Sequence, residues 1–144
     1  MTYLFDTNVC IRLLNNTSAP LVTRLKSVDP SEIVLCSVVL TELTFGAYRS
    51  ARVAENLRLL QNFAAPYRSL AFDDSCVDSY GRIRSDLQRA GMLIGPNDLL
   101  IAAIAVAHGL TLVTNNTDEF ARVVGLSLED WSLPRQSDNG NSET

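Results

Sequence analysis

The sequence predicts an α/β fold, a three-layer sandwich with a central, mainly parallel β-sheet flanked by helices, and three observations lead to it. Residues 3–5 and 33–36 are short apolar runs without polar alternation, the pattern of strands covered on both faces. Segments with helix start and stop signals separate such runs, so strands and helices alternate along the chain. A length of 144 residues, 47% hydrophobic and 19% charged, suits one domain with a core rather than a disordered polymer.

The elements follow in order. Tyr3-Leu4-Phe5 is the first strand, and it stops at Asp6-Thr7-Asn8, where Thr7 is the expected cap of a helix carrying Val9, Ile11, Leu13 and Leu14. Pro20 opens a second helix over 20–28, since proline suits a first turn. After the strand Ile33-Val34-Leu35-Cys36, Ser37 is expected to cap a helix reaching about Tyr48, with an antiparallel partner over 51–64. Residues 67–72 read as a third strand, and Asp73-Asp74-Ser75 starts a long helix ending near Gly91. Gly95-Pro96 opens a helix that is apolar on every face, hence buried, and that Gly109 stops after His108. A strand over 111–114, a turn at Asn115-Asn116, a short helix over 117–123 and a last strand through Trp131 complete a domain of residues 1–133. Residues 134–144 offer nothing apolar after Pro134 and are expected to form a flexible polar tail.

Several function classes fall away on composition. The longest apolar stretch, residues 99–107, is about half of a membrane span. The N-terminus has no basic region and meets Asp6 too early for a signal peptide, so a cytoplasmic protein is expected, with no membrane partner. Cys10, Cys36 and Cys76 have no metal-type spacing; Cys10 and Cys36 lie in apolar runs and read as small buried hydrophobes. His108, the one histidine, excludes paired-histidine nucleases, HExxH zinc sites and multi-histidine metal centres, and before Gly109 it reads as a cation or cap at a helix C-terminus. A net charge of −4 argues at first against a nucleic-acid partner. Of the twelve basic residues, however, only Lys26 is not arginine, the better phosphate ligand, and part of the acidity can belong to a metal site.

Ligands of parallel sheets bind beyond the carboxyl ends of the strands, and three acids are placed there. Asp6 ends the first strand. Glu42 lies on a helix whose neighbouring positions, Val38, Val39, Phe45 and Gly46, contain no cation. Asp98 occupies the third position of the apolar helix, where it also complements the helix dipole. Convergent carboxylates repel unless a cation joins them, and oxygen donors without nearby cysteine or histidine select Mg²⁺ or Mn²⁺. That is a phosphate-handling chemistry.

Four segments carry a family resemblance: Phe5-Asp6-Thr7-Asn8; Ser37-Val38-Val39-Leu40-Thr41-Glu42-Leu43; Gly95-Pro96-Asn97-Asp98-Leu99-Leu100-Ile101-Ala102-Ala103; and Gly109-Leu110-Thr111-Leu112-Val113-Thr114-Asn115-Asn116-Thr117-Asp118-Glu119-Phe120. Together they resemble the PIN-domain ribonucleases, and within them the VapC-type toxins of bacterial toxin–antitoxin pairs. The resemblance runs from Tyr3 to Trp131. It implies an endoribonuclease using Mg²⁺ or Mn²⁺ on structured RNA such as tRNA, a homodimer, and a VapB-like antitoxin partner. By the same resemblance Asp6 and Asp98 match the metal ligands and Glu42 the second acidic position; the expected mechanism has Glu42 orient or deprotonate a water, with Thr7, Asn8, Ser37, Thr114 and Asn115 in support. Many members carry a fourth acid after the last main strand; here Asn116 stands at that place as the fourth catalytic residue, with Asp118 and Glu119 nearby. An amide supplies no charge, which favours one ion over two.

Two other classes compete. A catalytically weak RNA-binding module on the same fold is suggested by Asn116, and a receiver-type signalling domain would also gather acids at a sheet edge. The receiver would need a lysine after a late strand, whereas Lys26 lies early. Trp131 and the phenylalanines and tyrosines read as core rather than base-stacking surfaces, and Arg82, Arg84 and Arg89 fit a solvated face or an RNA-facing edge equally.

Overall fold

The computed structural model describes residues 1–133; the tail expected over 134–144 lies outside the described residues. Five strands and seven α-helices alternate: β1 (Tyr3–Phe5), α1 (Thr7–Leu14), α2 (Ala19–Lys26), β2 (Ile33–Cys36), α3 (Ser37–Arg49), α4 (Val53–Ala64), β3 (Arg68–Leu70), α5 (Val77–Arg89), α6 (Pro96–His108), β4 (Thr111–Val113), α7 (Thr117–Phe120) and β5 (Ser127–Glu129). The sheet order is β3-β2-β1-β4-β5 and all four pairings are parallel. Every residue of β2 and β4 is buried, which is why their sequences do not alternate.

Right-handed crossovers put α1 to α4 on one face, because β1, β2 and β3 step in one direction, and α5 to α7 on the other. The packing agrees: α1 meets α2, α3 and α4, while α5 lies along α6. The step direction reverses at β1, whose neighbours β2 and β4 belong to the two opposite sweeps. The carboxyl ends of β1 and β4 therefore flank the topological switch point, where such sheets open a crevice.

The core helix α6 has five consecutive residues, Ile101 to Ala105, without exposed surface. It ends at Gly109, whose φ of 63° lets the Gly109 and Leu110 amides bond back to the carbonyls of Val106 and Ala105. His108 closes the helix, and the Asp73 carboxyl is held below its usual range chiefly by the Ser75 hydroxyl and amide, with a smaller contribution from His108. Trp131 is buried, edge-on to Tyr3 and Phe5. All three cysteines are buried, and burial pushes the Cys10 and Cys36 thiols above their ordinary range.

Several local expectations are corrected. Asp6, not Thr7, caps α1: the chain leaves β1 extended at Asp6, so its carboxylate meets the Val9 amide at 2.9 Å while Thr7 is already helical. Ser37 likewise is the first residue of α3 rather than its cap, and its hydroxyl accepts the Phe72 amide at 3.3 Å. Ser18 caps α2, leaving Pro20 at its second position. The Asp73 segment first makes a 3₁₀ turn, Asp74–Cys76, before α5. β3, α7 and β5 are shorter than expected, and β5 ends before Trp131. Two aromatics are not core: Phe45 is 60% and Tyr48 63% exposed on α3.

Candidate active site

The crevice at the switch point is a cleft of about 520 Å³. Its wall is built from the start of α1 (Asp6, Thr7, Asn8, Ile11), the middle of α3 (Glu42, Phe45), the start of α6 (Asn97, Asp98) and the turn into α7 (Asn116, Phe120). Each contribution has a local cause. Asp6 is where β1 stops; α6 must run back along the sheet to enter β4, so its N-terminus opens at the strands' carboxyl edge. Among the described residues, no lysine or arginine is part of the wall.

Asp6 is buried and fixed at both oxygens. Oδ1 accepts the Val9 amide, and Oδ2 accepts the hydroxyl of Thr114, which is fully buried at the end of β4. Desolvation raises the Asp6 pKa above its usual range; the Thr114 and Val9 hydrogen bonds oppose the rise, Glu42 adds to it and Arg12 slightly offsets it. The Asp6 amide also bonds the Val113 carbonyl at 3.2 Å, which holds the two strand ends side by side.

Glu42 receives the Thr7 hydroxyl on Oε1 at 2.9 Å, a bond joining α3 to α1 across the cleft. Asp98 has a pKa pushed up to about 6, chiefly by burial, then by the charges of Glu42, Glu119 and Asp6. Asn116 donates its backbone amide to the Thr114 hydroxyl at 2.9 Å and its side-chain amide to Glu119 Oε2 at 3.0 Å. One residue thus connects the anchor of Asp6 with a further acid.

Of the residues singled out in the sequence, Asp6, Thr7, Asn8, Glu42, Asp98 and Asn116 come together on this wall. Thr114 stands behind Asp6, Ser37 is turned to Phe72, and Asn115 has a buried Oδ1 without a hydrogen-bond partner. Glu119, set beside Asn116 in the sequence without a role, acts on Asp98, whereas Asp118 is exposed. The spacing Asn116 to Glu119 across the first turn of α7 was the available signal.

A divalent cation suits this wall chemically: its charged donors are carboxylate oxygens, burial and their mutual repulsion raise the Asp98 pKa, and the described residues of the wall include no basic side chain. The acids do not form a closed cage. Among the described residues, no three histidine, cysteine, aspartate or glutamate side chains are gathered tightly enough to ligate one ion as they stand. Asp6 is held by Thr114 and Val9 and Glu42 by Thr7, so the acids line an open cleft.

Comparison with known proteins points the same way. The family profile described as PIN domain matches residues 3–126. The chain is 37% identical over 132 residues to ribonuclease VapC2 of Rickettsia felis, spanning 91% of this chain and 98% of that protein. It is 38% identical over 132 residues to the tRNA(fMet)-specific endonuclease VapC of Shigella flexneri, spanning 92% and 99%. Among solved structures, VapBC2 of Rickettsia felis bound to a promoter DNA fragment superposes with a TM-score of 0.85 at 36% identity, covering 91% of this chain and 99% of that one. DNA-bound VapBC of Salmonella typhimurium gives a TM-score of 0.86 at 34% identity, covering 91% and 98%.

Proposed function

Because the chain belongs to the PIN-domain family, we propose that it is a VapC-type toxin ribonuclease of a VapBC toxin–antitoxin pair, hydrolysing phosphodiester bonds of a structured RNA at the Asp98 cleft. The observation that carries the reading is that Asp6, Glu42 and Asp98, from three separate segments, line one cleft at the carboxyl edge of the sheet, where burial and the neighbouring acids push the Asp98 pKa up to about 6. Acids assembled at such a cost to ionisation, on a wall without basic side chains, suit electrophilic handling of an anionic substrate.

Asp6 and Asp98 would hold Mg²⁺ or Mn²⁺, with Glu119 as a third acid close by. Such an ion, when bound, offsets the negative charge of the scissile phosphate and acidifies water. The protein residues do the remaining work. Thr114 and the Val9 amide fix the Asp6 carboxylate. Glu42, held through Oε1 by Thr7, keeps Oε2 to orient a water and accept its proton as the water oxygen bonds phosphorus; the P–O ester bond breaks, and the leaving oxygen takes the bond's electron pair and a proton from solvent. Asn116 steadies Glu119 rather than standing in for an acid. Glu119 also answers the motive for a catalytically silent module, since the fourth carboxylate comes from the next helix.

Residues 1–133 are the catalytic domain in this reading, and tRNA is the favoured substrate, after the tRNA(fMet)-specific relatives. A VapB-type antitoxin is the partner, by analogy with the VapBC complexes, and a homodimer working in the cytoplasm is the form proposed. No helix among the described residues is long and apolar enough to cross a membrane. The test is cleavage of tRNA by the purified protein in Mg²⁺ or Mn²⁺ and in EDTA, beside Asp6→Asn and Asp98→Asn. Cleavage is expected only for the native protein with the ion. Undiminished cleavage by Asp98→Asn, or in EDTA, refutes the assignment.

A further inference from the structure

Phe45 breaks the rule that large apolar side chains retreat from water. It lies on the wall of the carboxylate cleft, one helical turn beyond Glu42 on α3, and 60% of it is exposed. Its wall neighbour Phe120 is buried, and Phe5 and Trp131 pack edge-on in the core, whereas Phe45 is in no such aromatic pair among the described residues. One further turn out, the Arg49 guanidinium carbon sits 5.6 Å from the centre of the Phe45 ring. Positions 42, 45 and 49 share a helix face, so an acid, an aromatic ring and a cation follow one another outward from the cleft.

We infer that Phe45 is a stacking platform for an unpaired nucleobase adjoining the scissile phosphate, with Arg49 bracing the ring and meeting the backbone. The inference rests on the ribonuclease reading of the cleft and deepens it by naming the element that seats the RNA. The occupant follows from the position. A phosphodiester presented to Asp98 and Glu42 brings the neighbouring nucleotide onto the same wall, and Phe45 is the exposed aromatic there. An aromatic face accepts any base, and Arg supports both ring and phosphate. The wall is otherwise acidic and repels a polyanion, so an uncharged attraction for the base and a cation set back from the acids are the contributions it lacks. Single-stranded loops, whose bases can be splayed out, fit such a platform, whereas a continuous duplex does not.

The experiment uses full-length protein and an in vitro transcript of initiator tRNA. Cleavage is measured for native protein, Phe45→Ala, Phe45→Leu and Phe45→Trp, and tRNA binding is measured for the same substitutions in the Asp98→Asn background. Phe45→Ala should lose about 5- to 100-fold in kcat/KM, mostly through KM, and weaken binding by a similar factor. Phe45→Trp should restore both and Phe45→Leu should not, with thermal midpoints alike because the side chain is exposed. An RNA carrying an abasic nucleotide next to its cut should be nearly indifferent to Phe45→Ala. Native cleavage with Phe45→Ala matching it in cleavage and binding overturns the platform and leaves the ribonuclease standing. Absent native cleavage with the Phe45→Ala binding loss intact does the reverse. Phe45→Leu restoring native behaviour, or Phe45→Ala weakening only capture of a VapB-type protein, assigns the ring to a protein contact and overturns the inference.

Discussion

Replacing Asp98 by asparagine should stabilise the ion-free protein at the same time as it abolishes cleavage. A carboxyl that titrates at about 6 instead of 3.8 carries roughly 3 kcal/mol of unfavourable ionisation at neutral pH. Asp98 is only half-buried, so solvent screening brings this to about 1.5 kcal/mol. Asparagine at the third position of α6 also gives up the interaction with the helix N-terminus, about 0.3–1 kcal/mol. Relief of repulsion wins, with a net gain of about 1 kcal/mol at pH 8 and a rise of roughly 3–5 °C in Tm. The pH dependence has a definite sign. The folded state holds the Asp98 proton more tightly than the unfolded chain, so the penalty is absent below pH 3.8, grows between 3.8 and about 6, and is complete above. Thermal melts of both proteins in EDTA from pH 4 to 8 should diverge with rising pH, the variant ahead. Adding Mg²⁺ should raise the native Tm and reduce or reverse the gap. A variant no more stable than the native protein at pH 8, or a gap independent of pH, would refute the electrostatic account of the cleft.

Thr114→Val removes a fully buried hydroxyl that serves Asp6 and the Asn116 amide together, and should cost about 1–3 kcal/mol by urea unfolding. Because the Thr114 hydrogen bond holds the Asp6 pKa down, its loss should also move the acid limb of the cleavage profile to higher pH. Gly109→Ala meets no steric obstacle yet forces alanine to a φ of 63°, so the urea midpoint should fall by the equivalent of about 1 kcal/mol with an unchanged m-value and normal cleavage.

The acids Asp6, Glu42 and Asp98 were legible because each sits at a landmark of the sequence: the end of a strand, an uncompensated helix face, the first turn of an apolar helix. The parallel sheet was legible for a related reason. Strands buried on both faces, such as β2, cannot alternate, and the chain carries that imprint residue by residue. Element type and order are set by periodicity and by glycine and proline at the boundaries, which are local properties of the polypeptide.

Tertiary structure decided what no local pattern encodes. Whether Asp6 caps a helix or lines a cleft is not an alternative in the folded chain: its two oxygens point to Val9 and to Thr114, 108 residues away, and the residue does both. Glu119 looked like any acid at a helix start until α7 carried it toward Asp98, and Phe45 looked like core until α3 left its ring outside. Side-chain direction depends on which neighbours arrive from distant segments. Charges and hydrogen bonds act through space rather than along the chain, so the roles of individual atoms at the switch point became readable only once β1 and β4 lay side by side.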